Sequence, residues 1–552
     1  MKTLFIFFFC VFLAGSSSAR PKENFTPNPF TVIKTQVITN SNNISTWIWN
    51  TGVFDQDLRT SNTPGFEWPK GSGKFALFTA GLSLGAYVDG GLRLASVSYN
   101  GEYAPGYVLN GVFTTNATFK LYKVSRGDNA LNNPDYANWG LMVPYGAPYD
   151  DVNNNGVYDA GVDKPGVKSA AQTIFVCLTD ADPSNHSASE GFSGGTTPML
   201  SEMHLTSWSY DNVATLMDVQ FMKMQVINKN SSLWDSTYFG IVADPDLGYA
   251  PDDYIGCDIT RNLGYCYNST NQDGTGAPGQ YGANPPAVGI KLLKGARNGS
   301  TADIGMTSFD YFSNTSSGGP VCEQDPSSGP IQAYNYLRGL KKDGTPWLNP
   351  TLVPPSPTKF CYPGDPESNV GWTEYTGMIK NCGGVTSGQV EASAPGDRRL
   401  IISSGASNLK VNPLDTQTFV VAQMIARGTN NKNSVTLLKA MATNVQAAYN
   451  TSFVIGINSI STEVPEKFSL YQNYPNPFNP STKINFDITK SGFTSLSIFD
   501  VTGKEVAKLV NQNLNAGSYE FEFNAANLPS GVYFYKLENL GSTEVKKMSL
   551  IK

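Results

Sequence analysis

The sequence contains very little histidine, with only His186 and His204 among 552 residues. A Ser-His-Asp or Cys-His catalytic site would need one of them, yet His186 lies in a polar loop and His204 in a strand-like run. No GxSxG motif is present, and GSGK at 71–74 precedes a strand instead of the helix that a phosphate loop requires. The sequence predicts no catalytic residue and favours a non-catalytic protein, without excluding an enzyme.

Charge is also scarce, since only 15% of the residues are charged. The 39 Lys and Arg against 45 Asp and Glu give a net charge of −6, and the basic residues form no run. This balance argues against a partner that is nucleic acid or an anionic membrane.

Long apolar runs are missing except near the amino end. Lys2, the apolar segment from Leu4 to Leu13 and the small residues Ser17-Ser18-Ala19 form the pattern of a signal peptide at residues 1–19. About ten apolar residues are too few to span a bilayer. We therefore expect an exported mature chain, starting at Arg20, without a transmembrane segment.

No CxxC pair is present and the chain has only two histidines, so the sequence offers few ligands for a zinc site. Export favours disulfides among the six cysteines that follow the signal peptide, and six cysteines allow 15 pairings. Cys257 and Cys266 are the candidate local pair, with buried free thiols as the alternative.

Glycine, proline and aromatic residues are abundant, as expected for a turn-rich β protein (53 Gly, 34 Pro and 12% aromatic). The predicted fold is mainly β. Residues 20–456 would form a large β-sandwich-like body with long loops, and a break near 275–285 would allow two subdomains. One helix is predicted near its end, over 433–449, with a Ser434 N-cap and an apolar stripe of Leu437, Leu438, Met441, Val445 and Ala448.

The last part of the chain reads as a separate unit. Residues 457–466 look like a linker, and residues 467–552 look like a small Ig-like antiparallel sandwich. Its predicted strands are KINFDI, TSLSIFD, KEVAKLV, SYEFEFN, GVYFYKLEN and VKKMSLI.

This unit resembles a known family through YPNPFNPST at 474–482, FDVTGKEV at 499–506, GSYEFEFNAANLPSGVYFYKL at 517–537 and the ending KKMSLIK. It is similar to the type A sorting domain of the type IX secretion system of the Bacteroidetes and related phyla. The resemblance implies the secretion machinery and a sortase as partners of residues 467–552, an extracellular or cell-surface location, and often attachment to surface polysaccharide. The body resembles, more loosely, uncharacterised cargo of the same system, which implies no chemistry.

The sharpest local motif is DVNNNGVYDAGVD at 151–163. Its oxygen donors follow the spacing of a calcium loop, in which alternate residues of a tight turn converge on one hard cation. The predicted ligands are Asp151, Asn153, Asn155, Val157 through its carbonyl, and Asp159, with Gly156 at the sharp turn. Val162 replaces the usual bidentate glutamate, and Asp163 could substitute for it. An ion-free Asn/Asp/Gly turn is the alternative.

A second acidic group follows a predicted strand in ADPDLGYAPDDYIGCD. It contains Asp244, Asp246, Asp252, Asp253 and Asp258. So many neighbouring carboxylates need compensation by hydrogen bonds or a cation, so a solvated loop, a calcium site and, more remotely, paired catalytic carboxylates all stay open.

Together these features predict a non-catalytic structural or adhesive surface protein that contains calcium, with self-assembly as one form of that role. The other class is a secreted carbohydrate-active protein, either a glycan-binding module or a glycoside hydrolase using the Asp244–Asp258 carboxylates. Tryptophans would then stack on sugars, although core packing explains most of them more simply. They are Trp47, Trp49, Trp68, Trp139 and Trp208.

Overall fold

The computed structural model describes residues 33–60, 63–153, 155–187, 190–299, 303–315, 319–326, 329–383, 389–450, 458–461, 465–514, 516–525 and 528–552. The predicted signal peptide lies outside these residues. The described chain is mainly β, as predicted, with helices α1 (Pro134–Ala137), α2 (Pro330–Leu337) and α3 (Asn431–Asn450).

The strands of the body, in chain order, are β1 Gln36–Thr39, β2 Thr46–Trp49, β3 Gln56–Asp57, β4 Thr63–Pro64, β5 Phe66–Glu67, β6 Phe75–Leu77, β7 Thr79–Val88, β8 Gly91–Ala95, β9 Ala104–Pro105, β10 Tyr107–Leu109, β11 Val112–Thr114, β12 Tyr122–Ser125, β13 Tyr149–Asp150, β14 Lys164–Pro165, β15 Gln172–Thr179, β16 Ser201–Ser209, β17 Val219–Asn228, β18 Asp235–Asp244, β19 Asp253–Asp258, β20 Leu263–Asn268, β21 Gln272–Asp273, β22 Gly282–Ala283, β23 Ala287–Lys294, β24 Ser308–Ser313, β25 Trp347–Asn349, β26 Ser356–Thr358, β27 Met378–Ile379, β28 Val390–Glu391, β29 Arg398–Gly405 and β30 Thr416–Ala426. The final unit contains β31 Asn458–Ser461, β32 Ser469–Leu470, β33 Ser481–Ile488, β34 Gly492–Phe499, β35 Glu505–Leu514, β36 Gly517–Asn524, β37 Gly531–Asn539 and β38 Ser542–Leu550.

Two antiparallel sheets form the sandwich of the body. One has nine strands in the order β12-β15-β16-β17-β30-β23-β20-β19, with β9 also pairing β15, and the other has the order β24-β29-β18-β7-β8. Phe239 of β18 and Phe419 of β30 meet between the sheets, with ring centroids 4.5 Å apart. Both sheets take strands from either side of 275–285, so the sheets do not divide the body there.

The nine-stranded sheet is covered on both faces. In β17, Met222 and Met224 face the core between the sheets, while Val219 and Phe221 belong to a second core on the outer side. The side chains of this strand therefore alternate between two cores, as expected from the period of two in a β-strand. Helix α3 covers part of the outer face, and an aromatic-rich excursion of the chain over residues 107–165 covers Phe175 of β15.

Helix α3 confirms the predicted helix and extends it at both ends. Two details of the prediction are wrong. Ser434 lies buried within the first turn, where its hydroxyl donates to the Pro285 carbonyl at 2.8 Å, so it does not cap the helix. Leu437 is 43% exposed, because the buried stripe passes through Val435 and Leu438 instead.

Helix α2 lacks a sequence signal of its own because it is short, and tertiary packing stabilises it. It lies on the outer face of the five-stranded sheet over two glycines. A Cβ atom at Gly240 would approach Leu337 Cδ2 to 2.5 Å, and one at Gly85 would approach Tyr334 Cδ2 to 2.9 Å. The glycines thus allow the close approach of helix and sheet.

The predicted disulfide between Cys257 and Cys266 is wrong, since both residues are free and buried. They lie on neighbouring strands, but Cys266 pairs with Ile255 and Cys257 with Gly264. Diagonal neighbours of this kind are separated by about 7–8 Å, with the Cβ atoms somewhat closer, which still exceeds the Cβ separation of roughly 3.8 Å in a disulfide. The disulfide of the described chain instead joins Cys322 to Cys382, across a separation of 60 residues.

Asp55 is a fully buried carboxyl that links β2 to β30. It accepts hydrogen bonds from the Thr46 hydroxyl at 2.8 Å and from the Gln423 amide. Burial raises the pKa of Asp55 to about 7. Because this pKa exceeds that of the unfolded chain, the free energy of unfolding decreases as the pH rises from about 4 to 7.

We expect Asp55→Asn to stabilise the body by roughly 2–4 kcal/mol at pH 8 and by close to nothing at pH 4. Asparagine tolerates the positive φ of 77° at this position, and the Gln423 amide can turn its oxygen toward the new donor. Urea denaturation in chelator at both pH values measures the difference. An equal gain in stability at pH 4 and pH 8 would contradict a raised pKa of Asp55 as the cause.

The final unit consists of two four-stranded antiparallel sheets, β31-β36-β33-β32 and β35-β34-β37-β38. All six predicted strands are present, and their apolar residues form one core. The predicted linker includes β31, which pairs with β36 of the sandwich. The final unit therefore includes β31, which lies among the residues that the sequence assigned to a linker.

Candidate functional site

The predicted calcium loop is an exposed turn closed by a short ladder. Strands β13 and β14 pair Tyr149 with Pro165 and Asp150 with Lys164, so residues 151–163 form the connection. The rings of Tyr149 and Tyr158 meet edge to face, with centroids 5.3 Å apart. The ladder and this aromatic contact hold the two ends of the loop together.

Asp151 organises the turn at the start of the loop. Its carboxylate accepts the N–H of Asn155 at 3.2 Å and the N–H of Gly156 at 2.7 Å. Gly156 has a φ of +77°, the left-handed conformation that this position of a calcium loop needs. Val157 is 62% exposed and donates its N–H to Asn155 Oδ1 at 2.8 Å.

Three predicted ligands converge on one point. The side-chain amides of Asn153 and Asn155 donate to Asp159 Oδ2 at 2.8 and 2.6 Å, and these bonds lower the pKa of Asp159. Turning either amide about its last bond would direct its oxygen to the same place, because the two ends of an amide are similar in shape. Each turn would give up the backbone N–H that the oxygen now accepts, which comes from Asn155 for Asn153 and from Val157 for Asn155. The loop thus offers the hard oxygen donors that calcium prefers.

Asp163 differs from the other loop residues in burial, since it is only 1% exposed. Its two oxygens accept the N–H groups of Val152 at 2.9 Å and Asp159 at 2.7 Å. Its carboxylate therefore closes the loop through the backbone, and it would have to share an oxygen to bind an ion.

The second acidic group does not stay together in the fold. Asp258 accepts from the Arg261 guanidinium at 2.7 Å, and Asp252 accepts from Gly274 N–H at 2.9 Å. Asp253 is 1% exposed and accepts from Leu247 N–H at 3.1 Å. These three carboxylates anchor turns and strand ends.

Asp244 and Asp246 instead meet Asp397, which lies before β29. One carboxylate oxygen from each residue lies within 4.8 Å of the others. Sequence reasoning missed Asp397, although a signal exists in Asp397-Arg398-Arg399. At the start of a strand, alternation places Asp397 and Arg399 on one face.

Arg399 and Tyr99 hold this cluster from one side. The Arg399 guanidinium lies 3.3 Å from Asp244 Oδ2 and 2.9 Å from Asp397 Oδ1, and Tyr99 donates its hydroxyl to Asp244. Burial raises the pKa of Asp244 to about 6, although Arg399 opposes the change. Burial, and then the charges of Asp244 and Asp397, raise the pKa of Asp246 well above its usual range.

The cluster is poorly arranged for glycoside hydrolysis. Catalytic carboxyl pairs lie about 5–5.5 Å apart in retaining enzymes and about 6.5–9.5 Å apart in inverting ones, with a sugar ring between them. Here three carboxylates crowd within 4.8 Å. A surface depression of about 590 Å³ lies elsewhere, beside Tyr87 and Asp235.

Three of the five tryptophans proposed for sugar stacking lie in the interior, and the other two pack against it. Trp49 and Trp139 are 1% and 0% exposed, and Trp208 is 4% exposed. Trp47 and Trp68 are partly buried and pack against the main core. Their aromatic area therefore stabilises the sandwich.

A further set of metal-ligating types, Cys177, Glu202 and His204, is buried between β15 and β16. His204 Nε2 lies 3.0 Å from Glu202 Oε1, and the Cys177 thiol donates to the Gly106 carbonyl at 3.2 Å. Val108 N–H binds the other Glu202 oxygen. These protein partners account for the cluster as a hydrogen-bonded part of the core.

The final unit has its own distinctive feature in the YPNPFNPST segment. Phe478 is 2% exposed and inserts into the core of the two small sheets. Asn473 donates its side-chain amide to the Pro475 carbonyl at 3.1 Å and to the Thr482 hydroxyl at 2.9 Å. The segment thus packs as part of the sandwich.

Residues 472–552 match the family described as secretion system C-terminal sorting domain. The protein is a cargo of the type IX secretion system. The match covers the strands of the final unit from β33 to β38 together with the YPNPFNPST segment. Comparison with curated proteins finds no match for the chain.

The sorting domain of this cargo protein interacts with the type IX machinery and directs export to the cell surface or the medium. Among the described residues, no helix is both long and apolar enough to cross a membrane. The export route is therefore established by the final unit, whereas the role after export depends on the body.

Proposed function

We propose that the exported body is a non-catalytic structural or adhesive component of the cell surface, and that calcium stabilises it through residues 151–163. The observation that supports calcium most directly is the convergence of Asn153, Asn155 and Asp159 on one point. Asp151 and Gly156 supply the turn that brings them there.

The position of the loop connects this ion to the surface of the body. The loop belongs to the excursion over residues 107–165, which covers the outer face of the nine-stranded sheet. Several large apolar side chains of this excursion are exposed, namely Leu109, Val112, Leu131, Leu141, Val152, Val157 and Val162. Exposed apolar groups that form a contiguous patch mark contacts with other surfaces. Stiffening of the loop by calcium would hold three of them.

The sorting domain suggests further steps after export. We infer that a sortase cleaves the chain and attaches the body to surface polysaccharide, as the resemblance of residues 467–552 implies. An anchored body would then present the 107–165 excursion to neighbouring molecules, including other copies of itself.

The carbohydrate-active alternative has weaker support. Asp252, Asp253 and Asp258 anchor local structure through hydrogen bonds. The predicted stacking tryptophans pack in the interior. We therefore retain the structural role as the proposed function.

The test is a thermal melt of the mature chain with calcium and with excess chelator. At calcium about 100-fold above Kd, we expect stabilisation of roughly 2.7 kcal/mol, because the ion binds the native state alone. Asp151→Asn should remove the part of this increment that the loop supplies. Asp150→Asn is the matched control, because its carboxylate lies beside the loop and pairs with Lys168 at 3.3 Å.

Equal melts with calcium and chelator would refute calcium stabilisation. A calcium increment that Asp151→Asn leaves intact would exclude the loop as its source.

A further inference from the structure

Two segments that are distant in the chain place three carboxylates at one junction of the five-stranded sheet. Asp244 ends β18, Asp246 follows two residues later, and Asp397 directly precedes β29. Strands β18 and β29 are hydrogen-bonded neighbours in that sheet. The register brings the end of one strand beside the start of the other, so the acidic groups meet.

An unsatisfied buried atom at this junction points to a missing partner. Asp244 is 4% exposed, and its Oδ1 is buried without any hydrogen bond. Its other oxygen is already used by Tyr99 and Arg399. Buried polar atoms in native proteins nearly always have a partner, which is an ordered water or ion where no protein group is available.

The charge balance indicates which kind of partner fits. Three carboxylates face a single guanidinium, that of Arg399, which contacts Asp244 and Asp397. The group is therefore two positive charges short of neutrality when all three carboxylates are ionised. Buried charges that are not compensated are costly, and one divalent cation supplies the missing charge.

The donor set suits a hard divalent cation. All three donors are carboxylate oxygens, and hard oxygen ligands suit calcium and magnesium. Oxygens on opposite sides of calcium lie about 4.6–5.2 Å apart, against about 4.0–4.2 Å for magnesium. The separations of the three oxygens, all within 4.8 Å, admit either ion.

We propose that Asp244, Asp246 and Asp397 bind one divalent cation of the calcium class. Arg399 and Tyr99 orient the carboxylates from outside, and the ion joins the end of β18 to the start of β29. The proposal deepens the calcium-stabilised function proposed above, but it uses none of the residues of the 151–163 loop.

The test counts calcium ions by isothermal titration calorimetry of the mature full-length chain after removal of metal. We expect two ions per wild-type chain and one ion in Asp246→Asn. Asp397→Asn is the second variant, and it should also retain one ion. Far-UV circular dichroism checks that each variant is folded. Asp258→Asn is the matched control from the same acidic stretch and should retain two ions, because its carboxylate binds Arg261 instead.

Melting temperatures give an independent readout. In chelator, Asp246→Asn should be as stable as the wild type or more stable, because one buried like charge is removed. In calcium it should be less stable. A variant that is less stable than the wild type by the same amount in both solutions would show a structural role and overturn the site.

The two calcium sites are distinguishable in the titration. A wild-type chain that binds one ion, and loses it in Asp151→Asn but retains it in Asp246→Asn, would overturn this site and keep the loop. A single ion that is lost in Asp246→Asn but retained in Asp151→Asn would support this site and exclude the loop. Two ions in both Asp246→Asn and Asp397→Asn would also overturn the proposal.

Discussion

A chain that lacks residues 458–552 should accumulate inside the cell envelope and fail to reach the surface. The sorting domain carries the export address, and the deletion starts at β31 because this strand pairs within the sorting sandwich. Fractionation of a bacterium that has a type IX system, followed by immunoblotting, measures the distribution. We expect nearly complete loss of the surface form.

Two substitutions of phenylalanine test whether export requires a folded sorting domain or only a chain of full length. Phe486 is 0% exposed in the core, whereas Phe493 is 52% exposed. Phe486→Asp places an unpaired charge in the small core and should block export, while Phe493→Asp should be exported normally. Surface display of the truncated chain at the wild-type level would refute the assigned role of the domain.

Lys341→Met should destabilise the body by about 3–5 kcal/mol, because it leaves Glu323 buried without its cation. The two side chains are 1% and 2% exposed, and Lys341 Nζ lies 2.5 Å from Glu323 Oε1. The ammonium also donates to the Asn381 carbonyl at 2.7 Å and lies 4.9 Å from the centre of the Trp347 ring. Loss of the lysine therefore removes an ion pair, a hydrogen bond and a cation–π contact at once.

Urea denaturation followed by tryptophan fluorescence measures this loss in the body alone. All eight tryptophans precede residue 373, so the sorting domain contributes no signal. The double variant Lys341→Met/Glu323→Gln should recover most of the stability, since it removes both charges. Lys410→Met is the exposed control and should change the free energy of unfolding by less than about 0.5 kcal/mol. Equal losses in the single and double variants would contradict an ion pair as the cause.

Local patterns were sufficient for much of the fold. The six main strands of the sorting domain follow from the alternation of apolar and polar residues and from turns between adjacent strands. Helix α3 follows from its helical period, although the bounds and the exposure of Leu437 differ from the prediction. Such features depend on backbone geometry within a few residues, so a sequence displays them directly.

The loop at 151–163 could also be identified without a structure, because its donors lie within 13 consecutive residues. The role of Asp163 could not, since its burial depends on how the loop closes over the backbone. The prediction of a disulfide between Cys257 and Cys266 was wrong for a similar reason. Spacing placed Cys257 and Cys266 near each other, but strand register made them diagonal neighbours.

The sequence by itself determined that this is an exported, mainly β protein with a C-terminal sorting domain and an oxygen-rich loop. Only the tertiary structure decided that Asp397 joins Asp244, that Cys322 pairs with Cys382, and that most of the proposed sugar-stacking tryptophans lie in the interior. The physical reason is the separation along the chain between the residues that determine each feature. Periodicity and short motifs are set by neighbouring residues, whereas these contacts join distant segments and depend on the register and packing of whole sheets.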